Sequence, residues 1–253
     1  MDTAVPRLDA PLDELLAYAD ERYGTTFEPL ATGDIRLEFL QIKDMPGQVD
    51  KAVAESNTGE KVKLPFWACI WPTALLLSYF VQRLPAGERT MLEIGAGVGV
   101  AGLFAAAHGI RTTITDIHPD ALVFARVNVL KNGLQDRAEV VACDFSADRL
   151  GRRFDYILGS EILYIDDLCQ GLVKFLLAHL ERASHAEVIL GRDFRRKADH
   201  FLRLAEEKFT REEKTIGCKA DDPEFGIQRH QCSIYRLRPR KTAVRGPLPG
   251  LES

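Results

Sequence analysis

Three observations predict a three-layer α/β sandwich for this 253-residue chain, with a mainly parallel seven-stranded sheet covered on both faces. From Thr90 onward, short β-like runs alternate with helical stretches, which implies βαβ units. A glycine-rich turn, Gly95-Ala-Gly97-Val-Gly99, joins the first of these strands to a helix. Near the C-terminus, residues 210–218 and 228–238 are strand-like with no convincing helix between them, and they predict an antiparallel pair closing one sheet edge.

Residues 1–10 read as a loose tail. Residues 11–23 put Leu12, Leu15, Leu16 and Ala19 on one stripe of a short helix. Gly24 ends it, because a glycine past the last turn can adopt φ > 0. Residues 35–42 alternate apolar and polar as a strand does. The polar stretch 48–63 predicts a mobile loop. Two tryptophans and two prolines follow closely in LPFWACIWP, and 73–84 predicts a helix with Pro72 at its first turn. Strands are predicted at 91–94, 112–115, 139–142, 156–158 and 187–190. Helices are predicted at 98–108, 119–131, 166–182 and 196–208. The tail 239–253 is rich in Pro, Gly and Arg and predicts disorder. The expected organisation is an N-terminal helix/strand extension over 1–63, a core domain over 64–238, and the tail.

Apolar residues at 46% and charged residues at 28% give the balance of a globular protein able to bury a sizeable core. A net charge of −4 gives no electrostatic case for a general nucleic-acid binder. Five scattered cysteines, an odd count without a CxxC pair, argue against a disulfide framework or a structural zinc site. No apolar run is long enough to span a bilayer, and the acidic N-terminus lacks a signal pattern. The expectation is a cytoplasmic monomer with no metal, nucleic-acid or membrane partner.

The glycine turn opens a helix whose first N–H groups and dipole suit a ligand approaching the backbone. A dinucleotide-type GxGxxG register exists at Gly97, Gly99 and Gly102, but the register from Gly95 has Val100 at its third glycine position. Glu93 lies two residues before the first glycine, where a carboxylate would repel a pyrophosphate and attract a cation bearing a free amino group. Asp116 ends the second strand, where it could accept two ribose hydroxyls or merely cap the next helix. Asp144, with Phe145 beside it, ends the third strand, where it could accept from an adenine amino group or simply cap a turn. His118 reads as a cap or surface residue.

EIGAGVG, Asp116 and CDF together resemble the motifs of class I S-adenosyl-L-methionine methyltransferases, which are Rossmann-like. PFWACIWP upstream and Gly159-Ser160-Glu161-Ile-Leu-Tyr164 downstream narrow the resemblance to methyltransferase family 16, which includes many protein-lysine methyltransferases. Specific motifs cover 64–164, with Phe145 standing where relatives often carry Trp. The resemblance implies Glu161 and Tyr164 as catalytic residues. It implies cofactor contacts from Trp71, Glu93, Gly95, Ala96, Gly97, Asp116, Ile117, Asp144, Phe145 and Ser160. Trp71 would pack near the cofactor, Gly95 and Gly97 would face its methionine portion, and Tyr164 would border the methyl-transfer point. The implied acceptor is a lysine of a protein substrate. A small amine, a nicotinamide-dependent oxidation and a non-catalytic cofactor-binding role stay open at this point.

Overall fold

The computed structural model describes residues 4–55, 64–163, 166–222 and 226–240. Its elements in chain order are α1 (Leu12–Tyr23), β1 (Thr25–Thr32), β2 (Ile35–Ile42), α2 (Met45–Glu55), a 3₁₀ turn (Phe66–Ala68), α3 (Pro72–Val81), β3 (Thr90–Ile94), α4 (Val100–Ala107) and β4 (Arg111–Asp116). Then follow α5 (Pro119–Lys131), β5 (Ala138–Ala142), β6 (Tyr156–Ser160), a 3₁₀ turn (Asp166–Leu168), α6 (Cys169–His179), β7 (Glu187–Asp193), α7 (Asp199–Glu206), β8 (Phe209–Asp222) and β9 (Gly226–Pro239).

The seven-stranded sheet has the order β5-β4-β3-β6-β7-β9-β8, with β9 antiparallel to both β7 and β8 and the other pairings parallel. The expected edge pair is therefore present. Strand order moves outward from β3 through β4 to β5, then restarts at β6 on the other side of β3. That reversal makes the carboxyl ends of β3 and β6 the topological switch point, where open α/β sheets bind ligands. Alternating side chains feed two cores. Met91, Ile114, Leu158 and Ile189 pack on the face of α3, α4 and α5, whereas Leu92, Ile94, Ile157 and Leu190 pack on the face of α6 and α7.

The N-terminal elements pack on the first of these faces. Tyr18 and Tyr23 of α1 each donate a hydroxyl hydrogen bond at 2.5 Å to the buried Asp120 carboxylate at the start of α5. Asn128 of α5 and Asn132, which caps its C-terminus, satisfy the free edge of β2, accepting from Leu40 N at 2.7 Å and Glu38 N at 2.8 Å. Asn128 also donates to the Val98 carbonyl at 3.1 Å, which ties the β1–β2 hairpin to the glycine turn.

Several predicted boundaries change. The loop expected over 48–63 is helical as far as Glu55, because Asp44 caps the helix by accepting from Gly47 N at 2.9 Å. Residues 56–63 of that loop lie outside the described residues. β1 has no counterpart among the predicted strands; Pro29 is tolerated there because β1 pairs with β2 alone. The helix expected over 166–182 starts as a 3₁₀ turn and stops at His179, where Leu180 bridges to Phe154. The helix expected from 196 begins at Asp199, because Arg192 holds the preceding turn by donating to the carbonyls of Asp193, Phe194 and Arg196. The tail from 241 lies outside the described residues.

Candidate active site

Two groups of side chains meet at the switch point. The first is the glycine turn after β3. Gly95, Gly97 and Gly99 have φ of 58°, 55° and 79°, a backbone that side-chain-bearing residues rarely adopt. A Cβ on Gly97 would collide with the Trp67 carbonyl oxygen, and one on Gly95 would lie 2.7 Å from Ile162 Cγ2. Asp116, at the tip of β4, organises the turn: Oδ2 accepts from Gly97 N at 2.8 Å and Oδ1 from His118 N at 2.9 Å. Ala96 N donates to the Thr115 carbonyl at 2.9 Å. The Asp116 carboxylate is thus engaged by backbone at both oxygens, which leaves one lone-pair direction on each for ribose hydroxyls rather than a wholly free acceptor.

Glu93 corrects the sequence expectation. It is 2% exposed and lies beneath the turn, with Oε2 accepting from Gly102 N at 2.9 Å inside the first turn of α4. Its strand position points it at the helix. Burial pushes its carboxyl up to about 8 against a smaller opposing contribution from the Gly102 hydrogen bond. Glu93 therefore fixes strand to helix, and any influence on a ligand passes through the loop.

The second group surrounds Glu161, which follows β6. Among the described residues it alone has positive φ without being glycine (55°), a strain that the surrounding contacts hold. Its Oε1 accepts from Thr73 Oγ1 at 2.5 Å and from Asp193 N at 2.6 Å. Its buried Oε2 receives no hydrogen bond and faces Arg196 Nε at 3.5 Å. Arg196 lies over the Trp71 ring, 5.6 Å from its centroid. Ser160 Oγ, one residue earlier at the strand tip, is also buried without a hydrogen-bond partner.

The two tryptophans lie on different sides of the site. Trp71 packs against Phe66 and Arg196 beside Glu161. Trp67 lies on the glycine-turn side, stacked on His118 with centroids 5.0 Å apart. Asp144 accepts from Ser146 N at 2.7 Å and Ser146 Oγ at 2.6 Å, capping its own turn. Phe145 packs partly buried on the second core. Ile117 is 68% exposed at the tip of β4, an apolar face beside Asp116. Tyr164 lies outside the described residues. Sequence reading missed Thr73 and Arg196, which no motif or spacing links to Glu161. The Trp67 carbonyl was equally silent, since backbone contacts leave no residue signature. Among the described residues no cluster of three His, Cys, Asp or Glu could hold a metal ion, and no helix is long and apolar enough to cross a membrane.

A glycine turn of this kind at the switch point, where the backbone can close on a nucleotide, belongs to a nucleotide-cofactor enzyme. The family described as lysine methyltransferase matches residues 58–208, more than half of the chain, and the chain belongs to that family. The chain is 31% identical over 151 residues to protein N-lysine methyltransferase METTL21A of Xenopus tropicalis, covering 56% of this chain and 68% of that protein. It is 31% identical over 192 residues to EEF1A lysine methyltransferase 3 of Mus musculus, covering 72% and 76%. The solved structure of the N-methyltransferase NodS from Bradyrhizobium japonicum, in complex with S-adenosyl-L-homocysteine, superposes with a TM-score of 0.53. It covers 78% of this chain and 99% of that one at 17% identity, a likeness of fold.

The protein is an S-adenosyl-L-methionine-dependent methyltransferase, and its residues fit that cofactor. The positive-φ glycines allow close backbone approach, and Asp116 keeps acceptor capacity. Ile117 offers an exposed apolar face, and Ser160 Oγ is a buried hydroxyl awaiting a partner.

Proposed function

We propose that this enzyme methylates the side-chain amine of a lysine on a protein substrate, at the cleft between Glu161 and Trp71. The observation that carries this reading is Glu161 Oε2, a buried carboxylate oxygen with no hydrogen bond, which faces the Arg196 guanidinium that lies over the Trp71 ring. The lysine methyltransferase names of the frog and mouse relatives support the same acceptor class.

S-adenosyl-L-methionine supplies a methyl carbon activated by a sulfonium. The chain binds and orients. Gly95, Ala96 and Gly97 would hold the methionine portion, Asp116 the ribose, Ile117, Asp144 and Phe145 the adenine side, and Ser160 the strand-tip wall. Glu93 supports the turn from below. Glu161 Oε2 accepts a hydrogen bond from the acceptor N–H and so aims the amine, while Thr73 and Asp193 N hold Oε1 still. Trp71 forms an aromatic wall that favours a cationic, alkylated product, and Tyr164 is proposed as the second catalytic residue. The amine must first lose a proton, which at neutral pH costs about 4 to 5 kcal/mol for an ordinary lysine. Turnover accordingly rises with pH.

We also propose a cytoplasmic monomer with a methyltransferase domain over 64–238 and an extension over 1–63. Large exposed apolar side chains among the described residues, such as Phe66, Tyr79, Ile117 and Phe194, sit singly on different elements. The test is transfer of labelled methyl groups to a cell extract, followed by mass spectrometry. Label on a protein lysine is the expected result; label confined to low-mass compounds would place the acceptor among small amines.

A further inference from the structure

We propose that Arg196 is a gate at the acceptor subsite: its guanidinium occupies the place of the substrate ammonium and must swing out before lysine enters. This rests on the lysine reading above and adds a competing group within the protein.

The geometry is that of a bound cation. Arg196 Nε is 3.5 Å from Glu161 Oε2, and its guanidinium carbon is 5.6 Å from the Trp71 centroid. A carboxylate below and an indole face beside are the two features that recognise an alkylammonium. Oε2 nevertheless receives no hydrogen bond, so the guanidinium neutralises the carboxylate without satisfying it. A smaller ammonium with three donors can point an N–H directly at that oxygen.

The gate is also built to move. Glu161 is fixed from three sides: Thr73 and Asp193 N hold Oε1, and its own N–H donates to the Gly191 carbonyl at 2.9 Å. The Arg196 side chain is 43% exposed and sits on the turn between β7 and α7. Arg192 anchors the backbone of that turn through its carbonyls and itself donates to Tyr235 Oη at 2.7 Å. The turn can thus stay in place while the Arg196 side chain rotates into solvent. A site occupied by its own cation about 90% of the time binds an external cation about tenfold more weakly.

The test uses n-butylammonium, a minimal lysine side chain, titrated into full-length protein saturated with S-adenosyl-L-homocysteine and followed by tryptophan fluorescence. Arg196→Gln should bind it about tenfold more tightly than the parent, with thermal melting confirming a folded variant. With a methyl-accepting protein, KM for that acceptor should fall while KM for the cofactor holds. Arg195→Gln removes an equal charge from the same turn, where Arg195 is largely exposed and pairs with Asp193, and should change neither. Unchanged or weaker butylammonium binding in Arg196→Gln overturns the gate, as does an equal gain in Arg195→Gln. Failure of the lysine reading is separate: it appears as parent enzyme that labels no protein lysine, whatever the butylammonium titration gives.

Discussion

Thr73 and Glu161, 88 residues apart in sequence, share a hydrogen bond of 2.5 Å that joins the first turn of α3 to the tip of β6. The bond fixes one carboxylate oxygen and so decides where the other points. Thr73→Val should leave S-adenosyl-L-homocysteine affinity near the parent's. It should lower kcat/KM for the protein acceptor by about tenfold or more, the loss expected for a hydrogen bond to a charged group of ~1.5–3 kcal/mol. Paired calorimetric titration and steady-state kinetics measure both quantities.

Gly97→Ala should damage cofactor binding before it damages anything else. The added methyl meets the Trp67 carbonyl at a φ of 55° that alanine resists. The thermal shift produced by S-adenosyl-L-homocysteine should vanish in this variant, while Gly133→Ala, at a positive φ with open space around it, should cost only backbone strain and keep the shift.

Glu93 gives a pH dependence of stability with a definite sign. Its folded carboxyl titrates near 8 and its unfolded one near 4.5, so the folded state holds the extra proton. The stabilisation is complete below the unfolded value and is lost as pH rises through the folded one. Melting temperature should therefore fall as pH rises across that window. Glu93→Gln keeps an acceptor for Gly102 N and removes the titration, so its melting temperature should be flatter over the same range. An identical slope in both proteins would assign the effect to other groups.

The α1 anchor should be worth measurable stability. Tyr18→Phe with Tyr23→Phe strips two hydroxyl donors from the buried Asp120. Unsatisfied buried acceptors cost about 1–3 kcal/mol each, so chemical denaturation should show a loss of that order. Replacing Asp120 by Asn as well should recover part of the loss, because the buried charge is gone.

The sheet was legible because periodicity and glycine placement are local. The runs at 91–94 and 112–115 alternate with helices, and Gly95 to Gly99 announces its turn by composition alone. The tip acids Asp116 and Glu161 were legible as residues, yet their bonding was not: whether an oxygen faces a backbone N–H or a ligand depends on chain that is distant in sequence. Glu93 is the sharpest case. Its position before the glycines suggested a ligand contact, but strand alternation turns it under α4. Trp67 and Trp71 are four residues apart on either side of the site, and only the 3₁₀ turn between Phe66 and Ala68 settles which faces the glycine turn. Arg196 is invisible for the same reason, since a turn held by Arg192 carries no spacing toward Glu161.

The acceptor role of Glu161 is tested most directly by Glu161→Gln, comparing methyl transfer to a protein lysine with separately measured S-adenosyl-L-homocysteine affinity. The amide oxygen can still accept from Thr73 and Asp193 N, while the buried anion is lost. The account predicts turnover reduced by about a hundredfold with cofactor affinity within about twofold of the parent's. Parent-like turnover in this variant would contradict it.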